Sequence, residues 1–548
     1  MLGAALISAH CAKQPAHTYH NPILAGFYPD PSMCRVGDDY YIVNSTFAYY
    51  PGIPIFHSTD LVNWTQLGHV LDRPEQLNLD GLGVSRGIFA PALRYHDGVF
   101  YVTCTVVDGG GNFVVTAKNP AGPWSTPVWL PEVHGIDPSL FFDDDGKTYL
   151  IYNSDPPEQP PLYQGHRALW MYEFDTETLT VIGERRLIVN GGSDISQKPI
   201  WIEGPHIFNV DGTYYLSCAE GGTAADHSQV VFKATTVWGP YESYSGNPIM
   251  TQRQLDPERE HPITCVGHMD MVQIPNGDWW AIFLGCRPYE GDYTFNTGRE
   301  TFMAPVTWRD GWPTVLTGDE TVKYSYPVPA LPAAEKAPYP LNGNFTVRDE
   351  FDSDKLGYHW MFLRTVREPW YSLADSGTLT INLRPETING VRNPSFIARR
   401  QQHINCYAET KMEFTPQTDN ETAGLIAFQG ERFYYYLGLT MADGKPMLQL
   451  KNNTEIIQQV SLSEDAIGKS VYLKIEAAGA IYRCYYAIGE DAMLQIGGNL
   501  DGTLLSTNTA GGFVGAVFGM YASSQGTTST NKAVYGWFEY SGDDVTFE

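Results

Sequence analysis

Asp30, Asp137 and Glu203 stand at one phase of an aromatic repeat. The repeat is a turn signal feeding an apolar strand, and it occurs five times: Gly-Asp-Asp-Tyr-Tyr41-Ile-Val, Asp-Gly-Val-Phe-Tyr101-Val-Thr, Asp-Gly-Lys-Thr-Tyr149-Leu-Ile, Asp-Gly-Thr-Tyr-Tyr215-Leu-Ser and Asn-Gly-Asp-Trp-Trp280-Ala-Ile. Twelve residues before the last four anchors stand Phe89, Asp137, Glu203 and His268, and eleven before the first stands Asp30, whose turn is longer by one residue. Carboxylates brought together by such a repeat repel one another, and at least one pKa rises. Neighbouring acids then take different protonation states, one able to donate a proton and one able to accept a proton from water or to attack. Cleavage of a glycosidic bond needs that pair of tasks. The same residues also read as turn caps, since Asp-Pro-Ser is ordinary turn chemistry; their common phase favours the shared pocket.

The anchors lie 60, 48, 66 and 65 residues apart, about one four-stranded sheet with its loops. Five such sheets predict a five-bladed β-propeller whose innermost strands begin at the mouth of the axis. The alternative is a large β-sandwich with similar hairpins. An all-β chain also fits 34 Tyr, 25 Phe and 13 Trp set among 53 Gly and 37 Pro.

With 548 residues the chain is long enough for two domains. Between Tyr326 and Asn342 five prolines crowd a stretch with few strand signals, which predicts a linker over 326–342. The expected order is a leader over 1–19, a propeller over 20–325 and a β-sandwich over 343–548 packed on it. The sandwich reads either as a sugar-binding module or as a partner that sends a loop over the propeller's pocket.

A net charge of −27, from 62 acidic and 35 basic side chains, excludes nucleic acid as a natural partner. A neutral, hydroxyl-rich ligand suits it better. No apolar run reaches the length of a membrane helix, about 18 residues or more. Eight scattered cysteines show no paired or metal-binding spacing, so neither a disulfide framework nor a zinc site is expected. Met1 to Ala9 is apolar and rich in small residues, like a clipped signal peptide, and the expectation is export to the periplasm or the medium.

The phrases Asn21-Pro-Ile-Leu-Ala-Gly-Phe-Tyr-Pro-Asp30-Pro-Ser, Asn44-Ser-Thr-Phe47, Gly87-Ile-Phe-Ala-Pro91, Gly135-Ile-Asp137-Pro-Ser, Glu203-Gly-Pro-His and Thr297-Gly-Arg299-Glu-Thr resemble glycoside hydrolase family 43. The likeness is to its two-domain β-xylosidase and α-L-arabinofuranosidase branch, in which the sandwich is concanavalin-like. That resemblance implies Asp30 as general base, Asp137 as modulator of its neighbour's pKa, Glu203 as general acid, and inversion at the anomeric carbon. It also implies that Arg299 binds sugar hydroxyls and that Phe47 and Phe89 wall the terminal sugar. Phe89 replaces the Trp of many members. No cofactor is implied as required; some relatives hold a calcium ion through the histidine at the place of His268, while a metal-free His268 bonded to the acids is the other reading.

The function that follows is exo-acting release of xylose from the non-reducing ends of β-linked xylo-oligosaccharides, with arabinofuranosidase side activity. The nearest alternative is an α-L-arabinofuranosidase acting on arabinoxylan side chains. A non-catalytic glycan-binding protein is the alternative of another class, and retention of all three acids argues against it.

Overall fold

The computed structural model describes residues 17–547 except 290–292, 375–376, 464–465 and 467. Residues 1–16, which carry most of the expected leader and Cys11, lie outside the described chain.

Five antiparallel sheets follow one another from Ser32 to Thr314. Their innermost strands are Ser32–Val36, Ala92–His96, Ile136–Phe142, Glu203–Val210 and Thr264–Gln273. Each touches the next and the fifth touches the first, so the sheets close into a ring of five blades. The repeat phrase supplies the second strand of each blade. In the third blade that strand, Thr148–Ser154, is buried throughout, whereas the outer strand Thr180–Asn190 is mostly exposed. The Asp-Gly signals act as read: Asp97 and Gly98 have φ of 48° and 81°, Asp211 and Gly212 of 51° and 80°, the double left-handed pair of a tight hairpin turn.

The ring is closed by the N-terminal segment. Thr18–His20 pairs with Ser325–Pro327, and Leu24 bridges Thr301 on the fifth blade. The Asn21 side chain donates to the Met303 carbonyl at 2.9 Å and accepts from the Met303 N–H at 2.9 Å.

From Phe345 onward the described residues form two facing sheets, an outer one of eight strands and an inner one of seven that a strand from the propeller completes to eight. Their burial patterns differ for a physical reason. In the outer sheet, Asn405–Glu413 and Val471–Ala478 alternate buried with half-buried residues, because one face meets the opposing sheet and the other faces water. In the inner sheet, Thr422–Gly430 and Val517–Ser523 are buried at every position. One face packs against the outer sheet and the other against the propeller, where Phe27, Phe47, Ala48 and Tyr49 join its core.

The eighth strand of the inner sheet belongs to the propeller. Tyr49–Tyr50 pairs with Met361–Leu363, Phe362 opposite Tyr50 and Leu363 opposite Tyr49, and the Arg364 N–H donates to the Ala48 carbonyl at 2.7 Å. A second tie is ionic. Arg287, fully buried at the end of the fifth blade, meets Glu300 at 2.7 and 3.0 Å and, from the C-terminal strand region, Asp544 at 2.8 Å. It also donates to the Gln402 carbonyl at 2.9 Å. Replacing Arg287 by Met strands two buried anions, and breaking a pair of this kind costs about 3–5 kcal/mol. Arg287→Met should therefore lower the denaturant midpoint of unfolding sharply, and an unchanged midpoint would show that the pair adds nothing to the junction.

Candidate active site

The acids are aimed by the backbone. Asp30, Asp137 and His268 have φ of 52°, 56° and 53°, in the left-handed region that side-chain-bearing residues rarely adopt. Strand pairing slips at Asp137, Glu203 and His268, between Ile136 and Ser139, Glu203 and His206, and Gly267 and Asp270. Such irregularities turn a side chain out of the sheet and toward the axis. Each left-handed residue costs of order 1–3 kcal/mol, sustained by its surroundings. Gly204, at φ 55°, has a second reason to lack a side chain: a Cβ there would stand 2.8 Å from the His268 ring.

All seven residues singled out from the sequence, Asp30, Phe47, Phe89, Asp137, Glu203, His268 and Arg299, line one cavity of about 640 Å³ at the mouth of the axis. A cavity of similar volume between Gly68 and Tyr358, at the domain junction, holds none of the repeat's acids.

The three carboxyls differ in their partners. Asp30 accepts from Arg299 at 2.8 and 3.4 Å and from the Ser45 hydroxyl at 2.6 Å, and His268 lies 3.9 Å away. Burial alone would raise its pKa, but Arg299, His268 and the Ser45 bond together hold it below the ordinary carboxylate value. Asp137 accepts the Gly204 N–H at 3.0 Å. Burial raises its pKa to about 6, with His268 opposing and Asp30 adding to the rise. Burial, then the charges of Asp137 and Asp30, push Glu203 well above the usual range, against weaker pulls from Arg299 and Arg167. The site thus holds one acid ionised and one protonated over a wide span of pH.

A second ring lies deeper on the same strands, and sequence reasoning missed it. Asp270, fully buried, accepts from the Ser32 hydroxyl at 2.7 Å, the Met33 N–H at 3.0 Å and Arg94 at 2.8 Å. Arg94 also donates to His206 Nδ1 at 2.8 Å, and the Ser139 hydroxyl stands 2.9 Å from that nitrogen. Burial pushes the His206 pKa down to about 3, so the imidazole is neutral. One residue from each blade therefore joins the strand starts beneath the acids. The signal was present in the repeated Asp-Pro-Ser and in His268-Met-Asp270.

The sandwich contributes to the pocket. Phe513 stacks on Phe47 at 5.8 Å and meets Phe89 edge-on at 5.6 Å, while Phe47 and Phe89 are 5.5 Å apart. Arg299 lies over Phe47 and Phe513 at 5.7 and 5.5 Å. The Phe513 N–H donates to Ser85 at 2.9 Å, and the Ala516 N–H to the Asn296 carbonyl at 2.7 Å. Of the two sandwich readings, the loop over the pocket is the one found. The neighbours Arg299 and Glu300 serve different partners: Glu300 pairs with Arg287 and Arg299 with Asp30.

The calcium expectation rests on His268. Both oxygens of its carboxylate neighbour, Asp30, are occupied by Arg299 and Ser45. Among the described residues no group of three or more His, Cys, Asp or Glu side chains is placed to hold a metal ion. Calcium takes six to eight oxygens, so these residues do not fit a calcium held by protein ligands, and no step below runs through a metal.

A propeller with three unlike carboxyls at its axial mouth, roofed by an appended sandwich, defines a hydrolase of glycosidic bonds. Residues 19–313 match the model of glycosyl hydrolases family 43, and residues 348–541 that of the β-xylosidase C-terminal concanavalin A-like domain. The chain is 40% identical over 530 residues to a xylosidase/arabinosidase of Butyrivibrio fibrisolvens, covering 95% of this chain and 98% of that one. It is also 40% identical over 532 residues to a non-reducing end α-L-arabinofuranosidase of Bacteroides ovatus, covering 95% and 94%. A crystal structure of a GH43_12 protein retrieved from a capybara gut metagenome superposes with a TM-score of 0.87 at 40% identity, over 93% of this chain and 96% of that one. The chain belongs to glycosyl hydrolase family 43.

Proposed function

We propose that the enzyme removes single xylose units from the non-reducing ends of β-linked xylo-oligosaccharides with inversion, and that the same pocket releases α-L-arabinofuranose from arabinoxylan fragments. The observation that carries this reading is the split between Asp30, held ionised by Arg299, and Glu203, held protonated by burial and its acidic neighbours. The names of the relatives from Butyrivibrio and Bacteroides support both sugars. The phenylalanine wall closed by Phe513 supports action at a chain end.

In the reaction, Asp30 takes a proton from a water as that water's oxygen attacks the anomeric carbon. The glycosidic bond breaks on the opposite side, and Glu203 gives its proton to the departing oxygen. Asp137 holds the Gly204 amide beside Glu203 and keeps the acid's pKa high. Arg299 fixes Asp30 and lies against the sugar's place in the cavity.

The test is proton NMR of the first turnovers of xylobiose and of an aryl α-L-arabinofuranoside. The α anomer of xylose should appear first and mutarotate afterwards. β-Xylose first from xylobiose, or α-arabinose first from the arabinofuranoside, would sink inversion, and binding of xylobiose without hydrolysis would favour a glycan-binding protein.

The pH profile follows from the same split. Activity requires Asp30 ionised and Glu203 protonated, so kcat/KM rises through the low pKa of Asp30 and falls as pH passes the raised pKa of Glu203. Asp137→Asn removes a negative charge that raises Glu203, so the falling limb should move to lower pH. A limb that stays in place would assign the high pKa of Glu203 to burial alone.

A further inference from the structure

We infer that Trp201 is the platform on which the departing sugar stacks, and that this sugar is a xylopyranosyl residue. The inference rests on the function proposed above and extends it to the leaving group. Glu203 hands its proton to the departing oxygen, so the departing sugar must lie on Glu203's side of the cavity. Asp30, Arg299 and the three phenylalanines of the lining form a cluster of their own contacts, which leaves the deep half of the pocket to the released sugar. The cavity lining also includes Arg167, Ile200, Trp201 and Thr223; Trp201 is two residues from Glu203 in the chain, and the charge of Arg167 acts on that acid.

Trp201 is built to present a face. It stands two residues before the acid, and its φ of 54° matches the left-handed conformation of Asp30 and Asp137. Its N–H donates to the Gly165 carbonyl at 2.9 Å. Arg167 stacks over the indole at 5.1 Å and is itself held by Asn153 at 2.9 and 3.1 Å. Asn153 in turn donates to the carbonyl of Ile202, between Trp201 and the acid. The ring is therefore fixed by the segment that carries Glu203, yet Trp201 and Ile200 are each 39% exposed. Folding gains little from an indole left so open. Strained backbone of this kind concentrates at functional positions.

The shape of the platform selects the ligand. A xylopyranose chair with equatorial hydroxyls turns a flat array of axial C–H groups to each face, which suits an indole. A puckered furanose offers no such plane. The residue that leaves is a xylopyranose whether the sugar released is a terminal xylose or an arabinose side group on xylan, so the assignment does not depend on which sugar the deep half of the pocket prefers.

The experiment compares the wild type, Trp201→Ala and Trp201→Phe on xylobiose and on β-D-xylopyranosyl fluoride, two donors with the same released sugar. Only xylobiose has a ring to leave, but it also needs the proton of Glu203 more than the fluoride does. Methyl β-D-xylopyranoside, whose methanol needs that proton and has no ring, is therefore the third donor and should stay within about twofold in Trp201→Ala; a tenfold loss on it would place the effect at Glu203 and overturn the assignment. Trp201→Ala should lose about tenfold in kcat/KM on xylobiose and stay within about twofold on the fluoride. Trp201→Phe should recover most of the loss. Equal losses on xylobiose and the fluoride, or none on either, would overturn the assignment. A wild type that cleaves neither donor would overturn the underlying function, whereas one that cleaves the fluoride retains that function and isolates the question to Trp201.

Discussion

Replacing Glu203 by Gln is expected to lower kcat/KM on xylobiose by about 10²–10⁴-fold, while a dinitrophenyl β-D-xyloside loses far less. The contrast follows from the leaving group. A xylose alkoxide cannot depart without a proton, but a dinitrophenolate can. The substitution is clean because Glu203 is protonated in the native site, its pKa raised by burial and by Asp137 and Asp30. A neutral amide of the same shape thus replaces a neutral acid, and the balance of charge around Asp30 is unaltered. On the activated donor the alkaline limb of the pH profile should also vanish, since the group that titrates there is gone. Equal losses on both donors would show that Glu203 does not protonate the leaving oxygen.

Asp30→Asn should behave differently. Activation of water is needed whatever leaves, so the loss of about 10²–10⁴-fold should be the same on xylobiose and on the dinitrophenyl xyloside. Removal of this carboxylate also leaves Arg299 buried without its counter-ion. Its side chain is only 6% exposed, and stranding a charge so deep costs about 3–5 kcal/mol. A fall in thermal midpoint should accompany the loss of rate. Circular dichroism at the assay temperature separates the two effects. Recovery of rate on the activated donor alone would remove Asp30 from the role of base.

How much of this was legible depends on how each feature is encoded. The acids could be found because a propeller repeats its strands around an axis, so equal phase in sequence becomes equal position in space. The hairpin turns were legible for a local reason: Asp97-Gly98 and Asp211-Gly212 carry the residues that a doubly left-handed turn needs. Phe513 was not, because it sits in a Gly-Gly-Phe-Val-Gly loop without periodicity and reaches the pocket only through the docking of two domains. Trp201 was passed over for lying between repeat units. Arg287 and Asp544 are 257 residues apart and carry no shared pattern. The second ring was half written in the sequence, since Asp30-Pro-Ser32 and Asp137-Pro-Ser139 announce two of its members, while Arg94 arrives from a strand whose opening phrase differs.

The strand Tyr49–Tyr50 changes what the word domain means for this enzyme. It follows Phe47 of the pocket by two residues and is stitched by main-chain bonds into the other half of the molecule. The C-terminal half is therefore no exchangeable cassette, because grafting a foreign one would cut loose a stretch of the catalytic wall. Heat should melt both halves in one step, and selection acting on either must keep the other in register.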